Sequence, residues 1–277
     1  MVEVFVLINI RAKFTRGEEL KYISHLDMMR MFERALRRSG LPVYYSQGFN
    51  PHPQIVFGLP LSVGVTSEAE YVDIDFSEDV EPIRFIEILN KQLPEGLKIL
   101  EANIRTSKSN IMAAISKASY EVLTTISQNP DIGEVNEKLL QFLNRHEILV
   151  KKESKGKVKD VNIRPMIHKL YSYLIENREV IEEGKNSRFA NIALLEYIDK
   201  INRSPDLKEA GIVENYYGFS LLLSAGSSAN LKPELALKAF GEWAGYDLDV
   251  LKIHRSGLFI DKGDKTLTPL DNELLAI

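Results

Sequence analysis

The sequence concentrates its chemistry in residues 22–53, which hold two of its five histidines and four clustered arginines. His25 and His52 could serve as an acid–base pair, an arrangement that cleaves RNA without a metal. Histidine is equally a structural residue, half-buried and satisfied by capping or packing. His25 falls in the first turn of an expected helix, where the positive dipole end disfavours the protonated ring. Arg30, Arg34, Arg37 and Arg38 run i, i+4, i+7, i+8 and share one helix face. They could grip phosphate through paired hydrogen bonds. The alternative is a solvated face in which Glu33 pairs with Arg37 for roughly 0.3–0.5 kcal/mol.

The loop after that helix displays Gln47, Phe49, Asn50 and His52. Gly48 permits a positive φ, while Pro51 and Pro53 fix their own φ and hold Asn50 and His52 extended. An aromatic ring beside amides and an imidazole suits a nucleobase or another flat ligand; the bland alternative is a tight connection with Phe49 tucked in. A second basic cluster holds Lys151, Lys152, Lys155, Lys157, Lys159 and Arg164, and residues 148–172 carry a net charge of +5. Such lysines either protect a strand edge from aggregation or contact a nucleic acid or other anion. The Ala225–Pro233 loop, with Gly226, Ser227 and Asn230, lies between an expected strand and helix, where small residues can cradle an anion. It lacks the GxxxxGK[ST] spacing of a P-loop. His254 and Arg255 sit on a late strand, where a structural role is the first expectation.

Other chemistries are excluded or unsupported. With no cysteine, these 277 residues offer no disulfide, thiol nucleophile, cysteine zinc site or iron–sulfur ligation. HxxxH, HExxH, GxSxG and GxGxxG are all missing, so no cofactor and no metal is expected and no catalytic residue is assigned beyond the alternative pair His25 and His52. A net charge of −4 argues against wholesale coating of nucleic acid, yet residues 1–60 carry +3 and the rest −7. A local basic patch on an acidic whole is therefore expected. The apolar run Val4–Ile10 is too short to span a membrane and has no signal-peptide shape, so the expected location is cytoplasmic.

The elements that must position these groups follow from periodicity. Val4 through Phe14 alternate as a strand. Ser24 and Asp27 form a capping-box signature, Met28, Phe32, Ala35 and Leu36 mark a buried stripe, and Gly40 and Pro42 stop the helix. Short strands are expected at Pro42–Tyr45, Gln54–Phe57 and Val72–Phe76, a helix from Pro82, and a strand over Leu97–Ile104. The order β, α, β, β, β, α, β is a split βαβ plan with one additional strand. It restarts at Tyr120–Ile126, followed by a helix over Val135–Phe142, a hairpin at Ile148–Glu153 and Val158–Arg164, and a strand at Tyr217–Ser224. A helix at Pro233–Ala244 and a strand at Val250–Ile260 complete the second set. The expected fold is α+β: two tandem ferredoxin-like units, 1–105 and 118–261, with an insertion over about 176–214 and a loose tail at 262–277. In the insertion, Phe189, Ile192, Leu195 and Ile198 mark one amphipathic helix.

Several of these stretches resemble a bacterial family. They are Tyr22–Asp27, Ala35–Arg38, Tyr45–Pro53, Leu59-Pro60 through Gly64, Val161–Pro165, Ala225–Ser227 with Asn230-Leu231, and Ile253–Leu258. The family is a radical SAM-associated domain of unknown function, found beside or fused to the C-terminus of cobalamin-binding-type radical SAM proteins. The chain departs from it at Ser228-Ala229, where the family has Arg-Gly, and in a longer 176–214 connection. The resemblance implies an accessory that presents a substrate to a radical SAM partner. Such enzymes often modify RNA, so the expected ligand is tRNA or rRNA. The alternatives are a metal-independent ribonuclease using His25 and His52, and a protein-interaction scaffold that binds no nucleic acid. In the RNA-binding reading, phosphate and base contacts fall to the arginines of the helix, to Gln47, Phe49, Asn50 and His52, and to the Lys151–Arg164 cluster. Gly226, Ser227, Asn230, His254 and Arg255 complete the expected set.

Overall fold

A computed structural model describes residues 7–107, 109–154, 157–176, 179–181, 188–189, 191–203 and 215–275. The chain is mixed α/β with mostly antiparallel strands and divides into two units. Unit 1 comprises residues 1–117, 226–228 and 255–277, and unit 2 comprises 118–225 and 229–254.

Unit 1 opens with β1 (Ile8–Arg16), whose even-numbered residues Ile10, Ala12 and Phe14 enter the core. Helix α1 (His25–Ser39) begins at Ser24, whose hydroxyl accepts the Asp27 N–H at 3.2 Å. The Asp27 carboxylate accepts from that same hydroxyl at 2.7 Å. The capping box thus closes on the side chain and not on the Ser24 backbone N–H. Met28, Phe32, Ala35 and Leu36 are buried, as the spacing predicts, and Gly40 ends the helix at φ 68°. A left-handed φ of this kind is the usual C-terminal stop and strains any residue with a Cβ.

β2 (Ile55–Phe57) and β1 both pair antiparallel with β3 (Thr66–Phe76), and β1 also pairs with β4 (Leu97–Arg105). Helix α2 (Pro82–Asn90), with Pro82 at its first turn, packs Phe85 and Leu89 into the same core as Phe14, Phe32 and Phe76. The expected strand at 42–45 is reduced to two isolated bridges, Val43 to Phe76 and Tyr45 to Pro53. Proline has no N–H to donate to a ladder, so Pro42 and Pro53 limit its extension. A short helix, α3 (Ile111–Ala114), follows, capped by the Asn110 side chain.

Unit 2 contains β5 (Lys117–Ile126), α4 (Ile132–Leu143), the hairpin β6 (Leu149–Ser154) and β7 (Lys157–Asn162), and β8 (Ile167–Glu176). Then come β9 (Glu179–Ile181), β10 (Arg188–Phe189), α5 (Ile192–Arg203), β11 (Tyr216–Ser224), α6 (Pro233–Ala244) and β12 (Leu248–Lys262). The strand order is β10-β9-β8-β11-β5-β12, with β6–β7 apart. β8 was not expected from periodicity, because Tyr173, Leu174 and Ile175 are buried consecutively and hide the alternation. Most of the expected 176–214 insertion lies outside the described residues. Of the expected α5 stripe, Leu195 is buried beside Leu194 and Ile198 packs against the same core, while Ile192 is exposed; the side chain of Phe189 lies outside the described residues.

From Arg255 onward β12 belongs to unit 1. The expected loose tail is instead held there. β13 (Lys265–Leu267) pairs with β12, and the last described helix, α7 (Asn272–Leu275), has Leu275 buried. The backbone carbonyl of Leu275 accepts from the Thr106 N–H at 2.9 Å. No helix among the described residues is long and apolar enough to cross a membrane.

Candidate functional site

The α1 arginines divide into spent and unspent groups. Arg30 pairs with Asp27 at 3.2 Å, and the Ser24 hydroxyl, ahead of Arg30, holds that carboxyl below the usual range. Arg38 donates to the Gln92 carbonyl at 2.6 Å. Arg34 and Arg37 are exposed and have neither a hydrogen bond nor an ion pair among the described residues. The expected Glu33–Arg37 pair is not formed. Their guanidinium groups therefore remain available to an anionic partner.

The following loop is fixed by its own polar groups. The Ser46 N–H donates to the His52 carbonyl at 2.9 Å, and the His52 N–H donates to the Ser46 hydroxyl at 3.1 Å. His52 Nδ1 lies 3.0 Å from that hydroxyl and 3.3 Å from the Asn50 carbonyl oxygen. Gly48 takes φ 143° at the tip. Phe49 is not tucked in: its relative exposure is 106%. Gln47, Asn50 and His52 are exposed beside it. A loop that spends hydrogen bonds to hold a phenyl ring in water presents that ring as a contact surface.

His25 lies elsewhere. Its ring packs edge-on against Phe57, 5.5 Å between centroids and 84° between planes. No hydrogen bond or ring contact joins His25 to His52 among the described residues, so the histidine pair is not assembled. His25 instead lines a pocket of about 20 Å³ of water-accessible space with Phe14, Arg16, Met28, the 57–61 segment, Glu70 and Tyr71. One buried arginine, Arg16, lines this pocket, and a second, Arg255, holds the lining carboxylate Glu70. Arg255 is 1% exposed and holds Glu70 through Nε at 2.8 Å and through a second, shorter contact from Nη2, while also donating to the Leu59 carbonyl. Arg16 is 3% exposed and donates to the carbonyls of Leu20, Lys21, Ile23 and Leu61. Burial draws the Arg16 guanidinium below its ordinary value; Glu70 opposes the shift and Arg255 adds to it.

The groups expected in unit 2 and on β12 fare unequally. Lys151 and Lys152 are exposed on β6 and make no ion pair among the described residues. Lys152 faces Lys159 across the hairpin, a like-charge pairing that favours an external anion. Lys155 lies outside the described residues, as does the side chain of Lys157. Arg164 is spent internally, donating to the Leu143 carbonyl at 2.7 Å and the Ile167 carbonyl at 3.1 Å. His254 and Arg255 are buried, which corrects their expected role in surface phosphate contact. At Gly226, φ is 107° and an added Cβ would stand 2.2 Å from the Ile115 carbonyl oxygen. That close backbone approach accounts for the glycine without a ligand; Ser227 and Asn230 are exposed.

A family model described as "Uncharacterized protein conserved in bacteria (DUF2344)" matches residues 9–208. The chain belongs to this DUF2344 family. No curated protein matches it. Among solved structures it is similar to a chain of one titled "Crystal Structure of a Cbf5-Nop10-Gar1 Complex", at 10% identity and a TM-score of 0.43. That likeness covers 91% of this chain and 48% of the other.

The DUF2344 match takes in Arg16, His25, the α1 arginines, the Phe49 loop and Glu70, and stops before Arg255. The sequence reading passed over Arg16 and Glu70. A signal for Arg16 was present: Ile10, Ala12, Phe14 and Arg16 occupy one face of β1, so the alternation carries a guanidinium into the core. Glu70 gave no such signal, because β3 is buried on both faces through residues 69–74.

Proposed function

We propose that the chain is an accessory substrate-recognition module that binds RNA, of the tRNA or rRNA class, for a radical SAM partner enzyme. The observation that carries the RNA part is the fully exposed Phe49 on a hydrogen-bonded loop in the same unit as the unpaired Arg34 and Arg37. An aromatic platform stacks on an unpaired base, worth about 1–3 kcal/mol per base. Guanidinium groups neutralise backbone phosphates and supply the sequence-independent attraction. Lys151 and Lys152 extend the basic surface available in unit 2. The partner rests on the resemblance of the 22–64 motifs to radical SAM-associated chains.

For the architecture, we read both units as ferredoxin-like. The strand order β4-β1-β3 with β2 on β3 supports this in unit 1, and β8-β11-β5-β12 supports it in unit 2. The β6–β7 hairpin and the β9–α5 segment then stand as additions to the second unit.

Crosslinking the purified chain to total cellular RNA at low and moderate salt tests the RNA reading. The wild type should recover one RNA class in a salt-sensitive manner. Arg34→Glu/Arg37→Glu should sharply weaken that recovery and lower the log–log salt slope by roughly 1.4, about 0.7 per phosphate contact on a single strand. Phe49→Ala should weaken recovery while leaving the slope unchanged. Equal recovery by wild type and the double arginine variant would overturn the reading.

A further inference from the structure

Among the described residues, β6 and β7 pair only with each other and stand outside the main sheet. A two-stranded hairpin is marginal by itself, so its base has to be held. Ile148 and Ile163, at 4% and 1% exposure, bury the chain where the hairpin leaves the rest of unit 2. The Asn162 side-chain oxygen accepts the N–H groups of both Ile148 and Arg164, each at 3.0 Å, and the Ile163 N–H donates to the Ile148 carbonyl at 2.8 Å. Arg164 adds its bonds to the carbonyls of Leu143 and Ile167. Beyond this clamp each strand is 6 residues long, which at about 3.3 Å per residue makes an arm of roughly 20 Å.

The arm is basic, and its charges are left open. Residues 149–162 carry five lysines against Glu153 and Asp160, on a chain whose net charge is −4. The register puts Lys152 opposite Lys159, side by side on one face, and Lys151 opposite Asp160 on the other. Like charges directly opposed destabilise a ladder. Lysines that only keep a strand edge soluble need no such juxtaposition. Lys151, Lys152 and Lys159 are exposed and have no hydrogen bond or ion pair among the described residues, so even the Lys151–Asp160 pair stays unclosed. No aromatic residue stands between Ile148 and Arg164. Unpaired bases are held by stacking on aromatic rings, which this arm does not have. An A-form duplex instead offers phosphates and 2′-hydroxyls across a wide, shallow minor groove and is recognised by shape and backbone. A flat ribbon with a clamped base and cations on one face matches phosphates held at fixed spacing.

We propose that the β6–β7 hairpin is an arm that grips the backbone of duplex RNA, lying across the minor groove with Lys152 and Lys159 on phosphates. The inference rests on the RNA reading of the chain. It names the part of the RNA that unit 2 takes, a stem, as distinct from the unpaired bases that suit Phe49.

The test is fluorescence anisotropy of the whole chain with two labelled probes, a blunt RNA duplex of about 16 base pairs and an oligouridine strand of equal charge. Lys152→Gln/Lys159→Gln should weaken duplex binding by about tenfold and lower its log–log salt slope by roughly 1.8, about 0.9 per phosphate contact on a duplex. Binding of oligouridine should stay as in the wild type. The variant should melt no lower than the wild type, because the substitution removes a like-charge pair. A lower melting temperature would make the two lysines structural and overturn the arm. Duplex binding that the substitution leaves unchanged, or that falls in step with oligouridine binding, also overturns it, and the RNA reading then stands on Arg34, Arg37 and Phe49. Absence of binding to both probes in the wild type overturns the RNA reading and the arm with it.

Discussion

Arginines in unit 1 occupy two contrasting settings. On α1, Arg34 and Arg37 are exposed and have no hydrogen bond or ion pair among the described residues. In the strands, Arg11, Arg16 and Arg255 are at most 3% exposed, and each is held by three or more hydrogen bonds. The same side chain therefore does opposite work. The solvated pair costs the fold almost nothing and is free for a partner. The buried set is structural first, since each guanidinium must recover in hydrogen bonds what it loses in hydration. Exposure alone does not identify function, and burial does not exclude it. Arg11 has its carboxylate, Asp73, at 2.7 Å, and Arg255 has Glu70, but Arg16 has only carbonyls.

The largest expected break in this contrast is Arg11→Met. Arg11 binds Asp73 through both Nε and Nη2 and also donates to the Pro269 carbonyl, which anchors the C-terminal segment. Losing one partner of a buried pair costs about 3–5 kcal/mol. Arg105 lies 3.3 Å from Asp73 and keeps part of the compensation, so the lower end of that range is expected. Urea denaturation measures it; a loss below about 1 kcal/mol would mean that the pair is no more than a surface-like ion pair.

How much of this was legible follows from locality. Cap, stripe and stop of α1 depend only on neighbouring residues, so Ser24, Met28–Leu36 and Gly40 fall where periodicity puts them. The pairing partners of Arg34 and Arg37 depended on rotamers, and the Glu33–Arg37 pair did not form. Phe49 was ambiguous because a Gly-Phe-Asn-Pro turn can point its ring either way; only the Ser46–His52 hydrogen bonds decide it. β8 escaped because burial on both faces erases a period of two. Arg16 was readable as a misfit on an apolar strand face, but its carbonyl partners come from residues 20–23 and 61, which only the fold assembles.

A smaller effect sharpens the contrast with a different cation. Lys252 of unit 2 is 3% exposed, with its ammonium 5.7 Å from the Tyr197 ring centroid, and burial draws it down to about 8. Arginine cannot shed its proton in response, whereas lysine can. Below pH 8 both folded and unfolded chains carry the Lys252 proton. Between there and the ordinary 10.5, the unfolded chain holds it and the folded chain releases it. Stability therefore rises with pH, on the order of 1 kcal/mol from pH 8 to about 9.5. Above that, the buried tyrosines Tyr71, Tyr217 and Tyr246 and the half-buried Tyr216, all shifted upward chiefly by desolvation, act in the opposite direction. Lys252→Met should flatten the rise in a series of urea melts; an unchanged rise would assign it to another group.

Ser24→Ala comes next, with an expected loss of about 1 kcal/mol from the missing α1 cap. Because α1 packs Phe32 and Leu36 into the core of unit 1, its melting should track the whole unit and not a frayed end. Ser24→Asp keeps a side-chain acceptor for the Asp27 N–H and should recover most of the loss. A melt unchanged by the alanine would mean that helix packing alone fixes the start of α1.

The smallest expected effect tests the solvated side of the comparison. Arg34→Met/Arg37→Met removes two exposed charges that have no hydrogen bond or ion pair among the described residues, so stability should stay within about 0.5 kcal/mol of wild type. The helix C-terminus gives Arg37 and Arg38 a modest favourable dipole interaction, a few tenths of a kcal/mol, and the sign of any change should be a small loss. Raising the salt should erase even that difference, because exposed charges are screened within about 10 Å at 0.1 M. A loss of 2 kcal/mol or more would show that the pair has structural partners in solution and would withdraw it from the contact surface. An unchanged melt combined with lost RNA crosslinking separates the two settings in one variant, because function then moves while the fold does not.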